Sequence, residues 1–401
     1  MTSDALKALV TRALENENLE KYELKFRGGN EKGEGYIGEL TFVDVLGEKS
    51  NGEAICYSLV LKIGGKNKTM RPIVRLGFER EVQIYAQVIP AFWKLQANFN
   101  MDLFSSIPKC YLTLLSDEQE ALVLQNLKST GFKLYNRKSV MTLDHMGLVL
   151  KLLGQWHALS FALKAKNPQQ FNELTAAWKC PANEIFVNSH VGHWMNVAQE
   201  HLLYVLKESK ELELLKKYQE KTQNKLATNI IKEILFMEEQ QIVITHGDCW
   251  NNNLMFKYQA NSPTDVTMFD FQISNLSSPV LDLSYFIYAV SSEEQLQHFQ
   301  EFLQIYYQSL SQYLSQMDCD PQKIFSFADL QNHWKKYAAY GAMISPLTVC
   351  DSLVDKEDAV CYGNKHEKYE SIIKSVEGKR NVAFWARLIA VAKHFTYDSY
   401  Y

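Results

Sequence analysis

The chain has 401 residues, 46% of them hydrophobic, enough for two domains or for two lobes of one enzyme around a large core. A formal net charge of −4 provides no basic surface for nucleic acid. Seven scattered cysteines (Cys56, Cys110, Cys180, Cys249, Cys319, Cys350 and Cys361) with no C-x-x-C spacing indicate neither a disulfide framework nor a cysteine zinc site.

The opening residues, Met1 to Lys7, carry charges where an export signal needs an apolar run. No apolar stretch is expected to reach membrane-spanning length, so a cytoplasmic protein without membrane contact is expected. Asp4 to Leu19 has helical spacing of Leu6, Leu9, Val10, Ala13 and Leu14, and a short strand is expected around Tyr22 to Phe26. Gly33-Glu34-Gly35-Tyr36-Ile37-Gly38 fits G-x-G-x-x-G. A dinucleotide fold would need a helix next, but Glu39 to Leu46 reads as a strand. A strand, a glycine loop and a second strand can lay backbone over nucleotide phosphates. The same glycines also suit a plain hairpin tip.

Tyr57 to Ile63 reads as a buried strand with one lysine, Lys62. Such a lysine needs a charged partner, unless the strand lies at an edge and the ammonium reaches water. The candidate carboxylate is Glu81, in a helical run from Gly77 to Tyr85, with Glu79 as its competitor. Ala121 to Leu127 is an apolar strand ending in polar residues, the place of a hinge in a two-lobed kinase, although any strand end looks alike. Leu143 to Lys166 is an amphipathic helix whose His157 reads as a satisfied core residue. His190 and His193 lie three apart but have no third ligand at a useful spacing. Glu200 to Glu239 reads as charged helices without a sustained heptad.

Gln241 to Ile244 reads as a strand delivering Thr245-His246-Gly247-Asp248-Cys249-Trp250-Asn251-Asn252-Asn253. A second strand, Val266 to Phe269, ends at Asp270-Phe271-Gln272. An acid, an amide five residues on, and a second acid after a hairpin suit phosphoryl transfer. Asp248 can accept a proton from a hydroxyl, and Asn253 and Asp270 offer hard oxygens to Mg²⁺. Ser277 or Ser278 before Pro279 starts a helix, with Asp282 in its first turn. Residues 293–401 alternate helical runs with polar breaks and are rich in aromatics.

His246-Gly247-Asp248-x-Trp250-x-x-Asn253-x-Met255-Phe256, Asp270-Phe271-Gln272 and Ser278-Pro279-x-x-Asp282-Leu283 resemble the ecdysteroid-kinase-like proteins of insects. Those sit beside choline and aminoglycoside kinases among the kinase-like phosphotransferases. The resemblance covers nearly the whole chain. It implies an α+β, two-lobed protein-kinase-like fold, with a small β-rich N-lobe over residues 1–127 and a large helical C-lobe over 128–401. It implies ATP and Mg²⁺, with transfer of the γ-phosphoryl to a small-molecule alcohol.

By position, the resemblance makes Asp248 the catalytic base and Asn253 and Asp270 the Mg²⁺ ligands. Gly33, Gly35, Gly38, Lys62, Glu81 and the backbone from Gln125 to Leu127 would hold the nucleotide, and His246 and Asp282 would support the catalytic loop. The chain departs from the pattern at Gln125-Asn126, where relatives carry an acidic pair, and at Gly38, where they carry a serine. The expected acceptor is a steroid-like or hydroxylated xenobiotic alcohol, with no obligate protein partner. Its apolar cleft would draw on residues 280–289 and 381–401. The alternatives are a kinase for choline or another cationic alcohol, with Trp194, Tyr288, Trp334, Tyr340 and Trp385 as candidate aromatic faces, and a ligand-binding pseudokinase.

Overall fold

The computed structural model describes residues 3–29, 38–65, 71–116, 119–358 and 369–398. Helix α1 (Ser3–Ala13) turns Leu6, Leu9, Val10 and Ala13 onto one face of a sheet. That sheet has five strands: β1 (Leu19–Gly29), β2 (Gly38–Lys49), β3 (Ala54–Gly64), β4 (Cys110–Leu114) and β5 (Ala121–Gln125). Their order is β1-β2-β3-β5-β4, and every neighbouring pair is antiparallel.

The period of two sorts the side chains. Leu59, Leu61 and Ile63 of β3, with Ala121 and Val123 of β5, pack under α1. Lys62 lies between them in sequence and therefore points to the opposite face. It pairs across to Leu40 on one side and Leu122 on the other, so β3 is interior and the edge-strand reading does not hold. Helix α2 (Arg71–Gln83) starts six residues before the expected run, and continues through a wide turn at 84–88 into α3 (Ile89–Asn98). Val74 and Phe78 of α2 join Leu122 and Leu124 in the larger core that fills the rest of the molecule.

After β6 (Lys133–Leu134) comes α4 (Leu143–Lys166), with the ends that its sequence pattern predicts. Contrary to the sequence expectation, α4 is long and apolar enough to cross a membrane, but 83% of its apolar window is buried inside the fold. It packs along the later helix Phe299–Gln316 as the central core helix. Next are α5 (Pro168–Thr175), α6 (Pro181–Phe186), α7 (His190–Glu208), α8 (Leu212–Thr222) and α9 (Ala227–Leu235). Left-handed residues Lys210 and Gln223 break the charged stretch between the last three.

Then follow β7 (Val243–Ile244), β8 (Leu254–Gln259), β9 (Ser262–Met268) and β10 (Leu276–Ser277). Strands β6, β8 and β9 form one small sheet, and β7 pairs with β10. The remaining helices are α10 (Val280–Val290), α11 (Glu293–Leu296), α12 (Phe299–Gln316), α13 (Pro321–Ile324), α14 (Phe327–Tyr337), α15 (Ala339–Leu353) and α16 (Tyr369–Lys393). An antiparallel sheet with one crossing helix, followed by a helical mass carrying short strand pairs, is the two-lobed α+β architecture of the protein-kinase fold.

Candidate active site

Strand β7 delivers the central loop, and α4 pins it. The Trp156 indole N–H donates to the Ile244 carbonyl at 2.7 Å, and the Ile244 N–H donates to Ser160 Oγ at 2.8 Å. Trp156 and Ser160 are four apart, on one face of the helix. Three residues after Ile244, Gly247 takes φ +89°, and a Cβ there would meet the Ile273 carbonyl oxygen at 2.2 Å. The loop runs so close to the chain after Asp270 that only glycine fits.

Asp282 lies in the first turn of α10 and is buried. Its Oδ2 accepts the His246 N–H at 2.6 Å, and its Oδ1 accepts the Gly247 N–H at 2.8 Å. His157 bridges Asp282 at 3.1 Å and the Tyr306 hydroxyl at 3.0 Å, a fully satisfied core position. The His246 ring donates from Nε2 to the Phe269 carbonyl at 3.0 Å, which leaves Nδ1 to accept the Asp248 N–H at 3.2 Å. Burial lowers the His246 pKa, as suits a neutral ring with one donor and one acceptor.

The Asp248 carboxylate is held on both oxygens. Tyr285 donates its hydroxyl to Oδ1 at 2.8 Å, and Asn253 Nδ2 donates to Oδ2 at 2.8 Å and to the Asp248 carbonyl at 2.9 Å. Burial pushes the Asp248 pKa up to about 6, Tyr285 and Asn253 act against that, and nearby Asp270 adds to it. Asp270 follows β9 in the left-handed region, φ +67°. Its carboxylate accepts from Lys62 Nζ at 2.8 Å, and Lys62 also reaches Glu81 at 2.6 Å. Burial works against the Lys62 charge, but the two carboxylates overcome it and raise the pKa. Glu79, the competing partner, instead pairs with Arg75 on its own helix at 2.7 Å. Phe271 packs against Trp156 and His246, at ring-centroid distances of 5.2 and 4.8 Å, which anchors the segment.

Gly33 and Gly35 lie outside the described residues. Gly38 opens β2, where a Cβ would sit 3.0 Å from the Ile63 carbonyl oxygen. A serine there would be tight, a local reason for the departure. At the hinge, Asn126 is occupied structurally: its N–H donates to the Ser58 carbonyl at 2.9 Å, and its Oδ1 caps the Lys128 N–H at 3.1 Å. Leu127 opens a single 3₁₀ turn, which leaves its N–H without a partner inside that turn.

One cleft of about 700 Å³ joins these parts. From the sheet and the strand end after β5, it is lined by Gly38, Leu40, Val60, Lys62 and the residues from Gln125 to Leu127. Asp248, Asn253 and Asp270 line it as well, as do the apolar Ile185, Phe186, Val191, Ile344 and Leu347 and the charged Arg137, Lys138, Asp351 and Asp355.

The donor set fits Mg²⁺. Asp270 supplies a carboxylate that is 25% exposed beside the cleft, and both bonds made by Asn253 Nδ2 leave its Oδ1 as a remaining oxygen donor. Among the described residues, no group of three His, Cys, Asp or Glu is gathered for a metal. Mg²⁺ in a nucleotide site takes only one or two protein ligands and completes its shell with phosphates and water.

The model of the ecdysteroid kinase-like family matches residues 32–319. The chain belongs to that family. This ecdysteroid-kinase-like protein is therefore a kinase-like phosphotransferase. Among solved structures it is similar to the GDP and kanamycin complex of APH(2")-IIIa, at 10% identity over 97% of each chain and a TM-score of 0.41. It is also similar to the GDP complex of a point mutant of aminoglycoside 2'-phosphotransferase-IIIa, at 11% identity over 96% of this chain and 100% of that one, TM-score 0.44. The wild-type GDP complex gives 10% identity over 99% of each chain and a TM-score of 0.40. A search of curated proteins finds no match.

Two expectations about this ecdysteroid-kinase-like cleft need correction. Of residues 280–289 only Tyr285 lines it, and none of the described residues from 381 onward does. Every residue of α10 is buried, so its apolar side chains serve the core, and the apolar wall comes from α6, α7 and α15. The aromatics considered for a cation cage are not at the cleft. Trp194 stacks on Tyr369, Tyr288 bonds His394 and Trp385 bonds Glu377, while Trp334 and Tyr340 are buried in the core. Sequence reasoning missed Tyr285 as a partner of Asp248. Its place three residues after Asp282, on the same helix face, was the available signal.

Proposed function

We propose that this protein transfers the γ-phosphoryl of ATP to a hydroxyl of a largely apolar small molecule, such as a steroid-like or hydroxylated xenobiotic alcohol. The observation that carries the reading is one cleft that Lys62, Asp248 and Asp270 line together with the apolar Ile185, Phe186, Val191, Ile344 and Leu347. Its volume suits a nucleotide phosphate tail and a small acceptor. In the proposed step, Asp248 accepts the proton of the acceptor O–H as the acceptor oxygen bonds to the γ-phosphorus. The bridging P–O bond breaks, and its electron pair leaves with ADP. Lys62, braced by Glu81, contacts the α/β-phosphates, and the backbone from Gln125 to Leu127 meets the adenine edge. Asn253 and Asp270 would hold Mg²⁺, whose chemistry there is neutralisation of phosphate charge. The division at residues 127 and 128 into a nucleotide-binding lobe and a catalytic lobe belongs to the same proposal, as does a cytoplasmic location.

The alternative is a cationic acceptor: the five aromatics considered for it are packed elsewhere, but Tyr135, Trp250, Asp351 and Asp355 line the cleft and are of the residue types a cation needs. The test is a panel of an ecdysone-like steroid, choline and an aminoglycoside at equal concentration with ATP and Mg²⁺, read by mass spectrometry for added phosphate. The steroid or another apolar alcohol is expected to gain the phosphate. Phosphorylation of choline or the aminoglycoside alone would overturn the acceptor and leave the phosphotransferase standing.

A further inference from the structure

We infer that Tyr285 is a positioning residue for the proposed transfer, holding the Asp248 carboxylate in the orientation that receives the acceptor hydroxyl. The inference rests on the phosphoryl-transfer reading and adds a residue to it.

The torsion that turns a carboxylate about its last bond is soft, so a carboxylate base keeps a fixed direction only when its oxygens are held. Both oxygens of Asp248 are held, from different places. Asn253 binds Oδ2, but it belongs to the same loop and also binds the Asp248 carbonyl, so it moves with the base. Tyr285 binds Oδ1 at 2.8 Å from α10, outside the loop.

That helix is the fixed frame of the site. Its Asp282 grips the His246 and Gly247 N–H groups, and its backbone lies against α15 where Gly341 meets Ser284. One turn of α10 thus sets the loop backbone through Asp282 and the carboxylate direction through Tyr285. The Tyr285 side chain also lines the cleft, as do Ile344 and Leu347 of α15, the helix packed on α10.

Tyr285→Phe removes the O–H and leaves the ring. Its kcat is expected to fall roughly ten- to hundred-fold, the scale for losing a hydrogen bond to a charged group that aligns a reacting centre. The KM for ATP should stay at the wild-type value. In a double-mutant cycle, Tyr285→Phe should cause little further loss on top of Asp248→Asn, because Tyr285 acts through Asp248. Wild-type kcat in Tyr285→Phe, or losses that multiply in full in the double variant, would overturn the inference while leaving the phosphotransferase reading intact. A fall in kcat matched by an equal fall in nucleotide affinity would assign Tyr285 to the general packing of the site and overturn it as well. A wild-type protein that phosphorylates no hydroxyl compound removes the reading underneath, and the inference with it.

Discussion

At the scale of the residue, Asp248 and Lys62 separate chemistry from stability. Asp248 is held by two hydrogen bonds that an amide can partly keep, so Asp248→Asn should fold and bind nucleotide normally. Its turnover should drop ~10²–10⁴-fold, the usual contribution of a positioned base. Turnover at the wild-type level would remove Asp248 from the mechanism. Lys62 behaves differently, because its partner Glu81 is fully buried. Lys62→Met strands that carboxylate and should cost ~3–5 kcal/mol in chemical denaturation. Adding Glu81→Leu removes the stranded charge and should restore most of the stability, since a well-packed apolar pair often matches a buried ion pair. Nucleotide binding should stay weak in both variants. If the double variant is no more stable than Lys62→Met alone, the ion pair is not what Glu81 contributes.

At the scale of the element, the decisive contact is between α10 and α15. A Cβ on Gly341 would meet the Ser284 backbone at 2.2 Å, and the Gly341 N–H donates to Ser284 Oγ at 3.2 Å. The two helices touch backbone to backbone, one residue away from Tyr285. Gly341→Ala must push them apart, which should cost at least ~1–3 kcal/mol, the usual range for overpacking. Because α15 carries Ile344 and Leu347 to the cleft, the same change should also lower turnover with the apolar acceptor. A Gly341→Ala protein with unchanged melting temperature and activity would show that the helices separate freely.

Across the whole molecule, Glu239 ties the connection before β7 to α14. Its Oε2 accepts from Lys336 at 3.0 Å and from the Tyr337 hydroxyl at 2.8 Å, and its Oε1 accepts the Gln240 N–H at 2.8 Å. Burial acts to raise its pKa, but Lys336, the Gln241 N–H and Tyr337 outweigh it and bring it down to about 2, from an ordinary 4.5. A depressed carboxyl contributes stability that is present above the unfolded value and lost as pH falls through the folded one. The unfolding free energy should therefore decline between about pH 4.5 and pH 2, and Glu239→Gln should flatten part of that decline. An identical pH dependence in Glu239→Gln would exclude this anchor as a source of acid sensitivity.

The sequence by itself determined whatever depends on neighbours along the chain. The 24-residue apolar pattern gave α4 its ends, and the alternation around Lys62 put one charge on the wrong face of an apolar strand. The short spacings from His246 to Asn253 and from Ser278 to Asp282 marked a loop and a helix start. Such features are set by backbone periodicity and turn chemistry, which act over a few residues. The tertiary structure alone decided which face met which partner. Glu81 was chosen over Glu79 because α2 turns one carboxylate inward and leaves the other beside Arg75. Aromatic residues that looked equally available to a pocket went into the core. The apolar wall came instead from Ile185, Phe186, Val191, Ile344 and Leu347, on helices about 150 residues apart in sequence. Hydrophobic burial has no direction of its own, so spacing tells that a side chain is buried, and only long-range packing tells against what.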